Sequence, residues 1–216
     1  THTKLFREER ERPVFISVDY RQGMQFATRG VFKSVQAAKL ASVLAWLAQK
    51  QGDRLGGQIF TDTACRELKP SNGRPAVLHF LNALVKRAPT QQALSFEQVI
   101  SRLSQHVKPG NLVYIISDFR GINSACELSL AKLAKHCDVV MIFIYDPLES
   151  KLPPKGRFRF THQQQECLVD TSNKKRLLAY QNNFQHHQAE LKRIATQLNI
   201  RLICCSTPEQ ITDILR

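Results

Sequence analysis

Four carboxylates close apolar runs in this sequence: Asp19 after VFISV, Asp62 after GGQIF and Thr61, Asp118 after LVYIIS, and Asp146 after VVMIFIY. Short runs rich in β-branched and aromatic residues, apolar on both faces, read as buried parallel strands. Each acid then sits at the carboxyl end of a strand, the edge where open α/β sheets bind their ligands. Facing acids there offer hard oxygen ligands to a divalent cation, and a cluster of them suits a metal-dependent phosphohydrolase or nuclease. Against catalysis, no second acid follows Asp19 by two residues, and no Gly-rich phosphate loop, nucleophile elbow or H-E-x-x-H motif occurs. Acids at strand ends also form turns and cap helices, which accounts for Asp62 and Asp146 in ordinary terms. A cation comes close behind the first acid: PVFISVDYRQGM places Arg21 two residues beyond Asp19, in a polar turn that contains Gly23.

The elements that must carry these residues alternate between strand and helix. After the strand ending at Asp19, Ser34 is placed to cap a helix over residues 34–50, ended by Gly52. That helix is apolar around most of its circumference, so Trp46 is expected in the core. Residues 54–60 give a second strand and residues 64–68 a short edge strand. Turn chemistry follows over residues 69–74, and Pro75 opens a helix to about Ala88. Ser95 with Gln98 makes a capping box for a helix to about Val107, and Ser124 with Glu127 makes another for a helix to His136. Leu112–Ser117 and Asp138–Tyr145 are strong buried strands.

Residues 157–160 and 166–169 read as a hairpin, and Ser172 or Asn173 caps a long helix to about Leu198. Residues 200–205 are a last strand, and Thr207, Pro208 and Gln210 supply the start of a closing helix. Such alternation implies an α/β fold, a doubly wound, mostly parallel open sheet in three layers, because parallel neighbours need right-handed crossovers. The late hairpin is an addition to it. The strand order is expected to reverse between the strand ending in Asp19 and the one ending in Asp118, which sets those two carboxylates across one crevice.

At 216 residues and 43% hydrophobic, the chain is sized for one domain over residues 1–216, with a charged arm at 1–12 and a hairpin insertion at 151–170. It lacks the run of about 18 apolar residues of a membrane helix and any signal-peptide pattern. It opens without Met and already dense in charge, so a further segment upstream is expected. The six cysteines show no C-x-x-C spacing and mostly lie in or beside apolar runs, as reduced thiols of a cytoplasmic protein do. The seven histidines contain no H-x-x-x-H pair. A net charge of +13 raises the alternative of a basic nucleic-acid-binding domain. The basic residues are nevertheless spread along the chain, and no reading motif accompanies them.

FREERERPVFISVD, VYIISDF, IYDPLESKLPP and VDTSNKKRLLAYQ resemble stretches of the bacterial domain of unknown function 58 proteins, which are similar to von Willebrand factor type A domains. The resemblance covers nearly the whole chain and implies a von Willebrand factor A-like, Rossmann-like fold. It also implies a non-catalytic interaction or adaptor role in the assembly or maturation of other proteins, with a MoxR-type AAA+ ATPase as partner. In type A domains a metal-ion-dependent adhesion site begins D-x-S-x-S and adds a Thr and a later Asp. Asp19 matches the first position and Asp118 the last acid, Arg21 and Gly23 stand where the serines should be, and Ser71 lies nearest to a counterpart of the Thr. The adhesion site is thus degenerate. Mg²⁺ needs near-complete octahedral oxygen ligation, so Asp19 and Asp118 alone make a poor metal site and no cofactor is expected. Arg21 is expected to set its guanidinium between Asp19 and Asp118 as a fixed cation in place of the metal. The alternative is a side chain turned to solvent.

Overall fold

The computed structural model describes residues 12–28, 30–86, 93–152, 156–162, 165–170 and 174–214. In chain order they form β1 (Val14–Asp19), a 3-10 turn (Gln22–Met24), α1 (Lys33–Lys50), β2 (Leu55–Phe60), β3 (Cys65–Ser71), α2 (Gly73–Val85), α3 (Phe96–His106) and β4 (Leu112–Ser117). Next come α4 (Ser124–Ala134), β5 (Asp138–Tyr145), α5 (Pro147–Ser150), β6 (Arg157–His162), β7 (Gln165–Asp170), α6 (Lys174–Gln197), β8 (Arg201–Ser206) and α7 (Ile211–Ile214).

Six strands make one sheet in the order β3-β2-β1-β4-β5-β8, and β6 pairs with β7 as a separate antiparallel hairpin. All neighbours in the large sheet are parallel except β2 and β3. β1 lies between two parallel neighbours and is buried along its whole length, which is why its run is apolar on both faces. Helices cover both sides. On one face Ala37, Ala41 and Leu44 of α1 and Val77 and Phe80 of α2 pack on Ile16, Val18 and Ile142. On the other, Val99 and Leu103 of α3, Leu130 of α4 and Ile194 of α6 pack on Phe15, Ile115 and Met141. The order reverses at β1 and β4, so the crevice of this doubly wound sheet opens between their carboxyl ends.

Several local expectations are corrected. The turn expected over residues 69–74 is strand as far as Ser71, because an edge strand tolerates Pro70, which has no N–H to give. α1 begins at Lys33 without a side-chain cap, and the Ser34 hydroxyl turns instead to Gln25. Trp46 is 38% exposed rather than in the core, since Ala37, Ala41, Ala45 and Ala48 take the sheet-facing stripe of α1. Asn123, not Ser124, caps α4, and the capping box of Ser95 and Gln98 on α3 forms as read. The Thr207 hydroxyl is committed to Asp146, so α7 starts only at Ile211. The charged arm at residues 1–12, apart from Arg12, and the caps expected at Ser172 and Asn173 lie outside the described residues.

Candidate functional site

Asp19 is the last residue of β1 and Asp118 the first after β4, so the sheet's reversal point holds both. Arg21 folds back on Asp19. Its backbone N–H donates to Asp19 Oδ1 at 2.8 Å, its Nε to both carboxylate oxygens at 3.1 Å, and its Nη2 to Oδ2 at 2.7 Å. Nη2 also stands 3.5 Å from Asp118 Oδ1, while Nη1 donates to the Arg120 carbonyl at 2.8 Å. The guanidinium lies over the Phe96 ring, 4.4 Å from its centroid, with Phe60 beyond, so aromatic faces favour the cation from the side away from the acids. The Ser117 hydroxyl completes the coordination of Asp19 at 2.6 Å and accepts the Phe119 N–H. Phe119 takes φ 53°, a left-handed conformation uncommon for a bulky residue. Its buried ring packs edge-on against Phe96 and holds that turn.

A second cation was not foreseen from the sequence. Lys33 opens α1 with its side chain wholly buried, and Nζ lies 3.0 Å from Asp118 Oδ2 and 2.9 Å from Glu149 Oε1. Arg120 closes the network from outside, donating Nη2 to Glu149 Oε1 at 2.7 Å and its backbone N–H to Asp118 Oδ1 at 3.1 Å. Three carboxylates (Asp19, Asp118, Glu149) thus meet three cations (Arg21, Lys33, Arg120) with no net charge. Glu149 has its other oxygen on the Asp146 N–H, as the distal half of the capping box of α5. His187 of α6 places Nε2 2.9 Å from the Asp118 carbonyl; a carbonyl only accepts, so Nε2 carries the hydrogen.

Gly23 lies in the turn over Asp118, and a Cβ there would come within 3.0 Å of Asp118 Oδ2. Ser71 is elsewhere. It pairs with Leu55 at the amino end of β2, and because β3 runs antiparallel its far end returns to the edge of the sheet opposite the crevice. Ser71 and the residue 69–74 segment therefore leave the candidate site. Asp62 does border it, accepting the Gln22 N–H at 2.7 Å and so pinning the turn that carries Arg21. Lys33, Arg120 and Glu149 were missed because little in the local sequence marks them as partners of the crevice. Of the three only Glu149 left a trace, as the fourth residue of DPLE, a capping-box spacing.

Burial pushes the Asp19 carboxyl up, against the pull of Arg21 and Ser117. Burial pushes Asp118 up too, but Lys33, the Arg120 N–H and Arg21 outweigh it and hold this carboxyl below the usual range. Asp146 is also held low: burial raises it, and bonds from the Thr28 hydroxyl and N–H, the Leu148 N–H and the Thr207 hydroxyl more than offset that. For Asp118 and Asp146 the native value is depressed, so their stabilisation is complete above the ordinary Asp range, about pH 4. It is lost as pH falls through the depressed native values. Asp146→Asn is expected to cost about 1.5–3 kcal/mol at neutral pH, the worth of hydrogen bonds to a charged group. The gap between variant and wild type should narrow below pH 4, in thermal melts followed by circular dichroism.

The family described as Protein of unknown function DUF58 matches residues 1–190. No curated protein matches the chain. Among solved structures, the chain is similar to the conserved hypothetical protein BatB from Bacteroides thetaiotaomicron, with 13% identity and a TM-score of 0.55 over 87% of this chain and 98% of that one. An aerotolerance-related membrane protein from Bacteroides fragilis, solved with multiple mutations to serines, is similar at 14% identity and TM-score 0.55, again over 87% and 98%. A von Willebrand factor type A structure from Catenulispora acidiphila matches at 12% identity and TM-score 0.48, over 63% of this chain and 34% of that one. At such identities the likeness concerns the fold. With the strand order, the antiparallel edge strand and helices on both faces, it gives a three-layer α/β fold that this chain shares with BatB. Among the described residues no helix is long and apolar enough to cross a membrane, and no three His, Cys, Asp or Glu form a metal-binding group.

Proposed function

This chain belongs to the DUF58 family, and we propose that it is a non-catalytic protein-interaction module that engages its partner through the loops at the carboxyl edge of the sheet. One observation carries the reading: among the described residues, Asp19, Asp118 and Glu149 at the centre of the crevice are each already paired with a cation of the same chain. A hydrolase would need a free general base, or acids open to a metal and its activated water. Asp146 has both oxygens bound, by Thr28, Leu148 and Thr207, and Asp62 gives one oxygen to the Gln22 N–H that holds the Arg21 turn.

What remains for the edge to do is present a rigid, polar, ion-paired surface. Arg120 is its outward part, with 62% of its side chain exposed. The partner we put forward is a MoxR-type AAA+ ATPase, as the family resemblance implies, and the setting is cytoplasmic, as cysteines without C-x-x-C spacing suggest. Arg120→Glu is expected to weaken binding of such a purified ATPase at least tenfold in a calorimetric titration. Lys132→Glu, on the exposed side of α4, should leave it unchanged. Equal binding by wild type and both variants would reject the crevice edge as the contact, and no binding by any of the three would reject this partner.

A further inference from the structure

The fold family brings with it the expectation of a divalent ion between Asp19 and Asp118, and the side chains here do not fit one. Both oxygens of Asp19 are taken by Arg21 and one of them also by Ser117. Of Asp118, Oδ1 receives the Arg120 N–H and faces Arg21, and Oδ2 receives Lys33. No hydroxyl stands at position 21 or 23. Mg²⁺ and Mn²⁺ are bound by oxygens, and here those oxygens already accept N–H donors from fixed cations.

From this we infer that Arg21 and Lys33 together form a built-in, non-dissociable replacement for the divalent ion, and that the crevice is closed to Mg²⁺ and Mn²⁺. The charge balance supports two cations rather than one. A divalent ion neutralises two carboxylates, and a guanidinium on Asp19 with an ammonium on Asp118 does the same with two single charges. The Arg120 and Glu149 pair is neutral by itself and joins the network through Lys33. The hydrogen bonds are charge-assisted, and the fork of Arg21 fixes direction as well as charge.

The replacement differs from an ion in one functional respect. A metal keeps open coordination positions for an incoming ligand, whereas Lys33 is fully buried and the Arg21 side chain is 13% exposed. A partner's carboxylate therefore finds no cation to complete at the centre, and contact falls to the rim. The crevice itself therefore adds no dependence on divalent ions or chelators to binding at the edge.

The test is a Mn²⁺ titration of the chain followed by electron paramagnetic resonance, alongside thermal melts with Mg²⁺ or EDTA. The wild type is expected to show no saturable Mn²⁺ binding at millimolar concentration and no shift of its thermal midpoint with either addition. Arg21→Ser with Gly23→Ser, which recreates D-x-S-x-S, should still bind poorly because Lys33 keeps Asp118. Adding Lys33→Met should tighten Mn²⁺ binding at least tenfold, with the fold checked by circular dichroism. Saturable binding by the wild type that is lost in Asp19→Asn overturns the inference, and so does a folded triple variant that binds no better than wild type. If the triple variant does not fold, the wild-type titration decides alone. No readout involves a partner, so the outcome is separate from that of the interaction experiment.

Discussion

Replacing Lys33 by Met should remove about 3–5 kcal/mol of stability, the usual result of taking one partner from a buried ion pair. The side chain is fully buried at the first turn of α1, with two carboxylates within 3.0 Å. Met keeps the length and the apolar stem but leaves Asp118 and Glu149 facing each other without the ammonium between them. Arg21 and Arg120 still touch those acids, and this places the loss within that range rather than above it. Adding Glu149→Gln to Lys33→Met should recover part of the loss by discarding one uncompensated charge, although the bond to the Asp146 N–H limits the gain. Urea denaturation of the three chains measures this. A Lys33→Met loss under about 1 kcal/mol, the worth of an exposed ion pair, would mean that the ammonium is not held as described.

Gly57→Val should be comparably harmful, by roughly 3 kcal/mol or more. A Cβ on Gly57 would come within 2.5 and 2.8 Å of the Phe80 ring and 3.1 Å of the Ile16 carbonyl oxygen. Phe80 is itself buried against the sheet, so the ring cannot swing into solvent. Strand propensity alone predicts the opposite sign, with Val favoured over Gly by up to about 1 kcal/mol. Overpacking is the larger effect because interior atoms are already close-packed. Gly57→Ala should cost about 1–3 kcal/mol, and pairing it with Phe80→Leu should return some of that. A stabilised Gly57→Val chain in thermal melts would show that α2 can shift away from β2.

The strands were legible where burial is symmetrical. β4 and β5 lie over their apolar runs to within a residue at either end, because both faces of a central parallel strand are covered. The edge was harder. β3 carries Arg66, Glu67 and Lys69 because one of its sides meets no strand, so composition marked part of it as a turn and put Ser71 at the wrong end of the sheet. Trp46 was misjudged for a related reason: an Ala-rich helix packs through its small residues and leaves a large one outward.

The crevice was legible in its acids and in Arg21, which stands two residues from Asp19. Lys33 was not. A lone Lys at a helix start reads as exposed, and its partners Asp118 and Glu149 are 85 and 116 residues further along. No window of sequence contains that pairing.

That separation bears on how the chain comes to be folded. The bonds that close the crevice span 85 residues from Lys33 to Asp118, 98 from Asp19 to Ser117 and 116 from Lys33 to Glu149. Contacts so distant in sequence are rewarded only after the loop between them has been closed. During synthesis, at ~5–20 residues per second, Glu149 follows Lys33 by roughly 6 to 23 s. Asp118 follows Lys33 by roughly 4 to 17 s, and until then the ammonium has neither of its native carboxylates to join. Its burial between Asp118 and Glu149 needs β4 beside β1 and β5 beside β4, so the ion network can be complete only once the two wings of the sheet are joined.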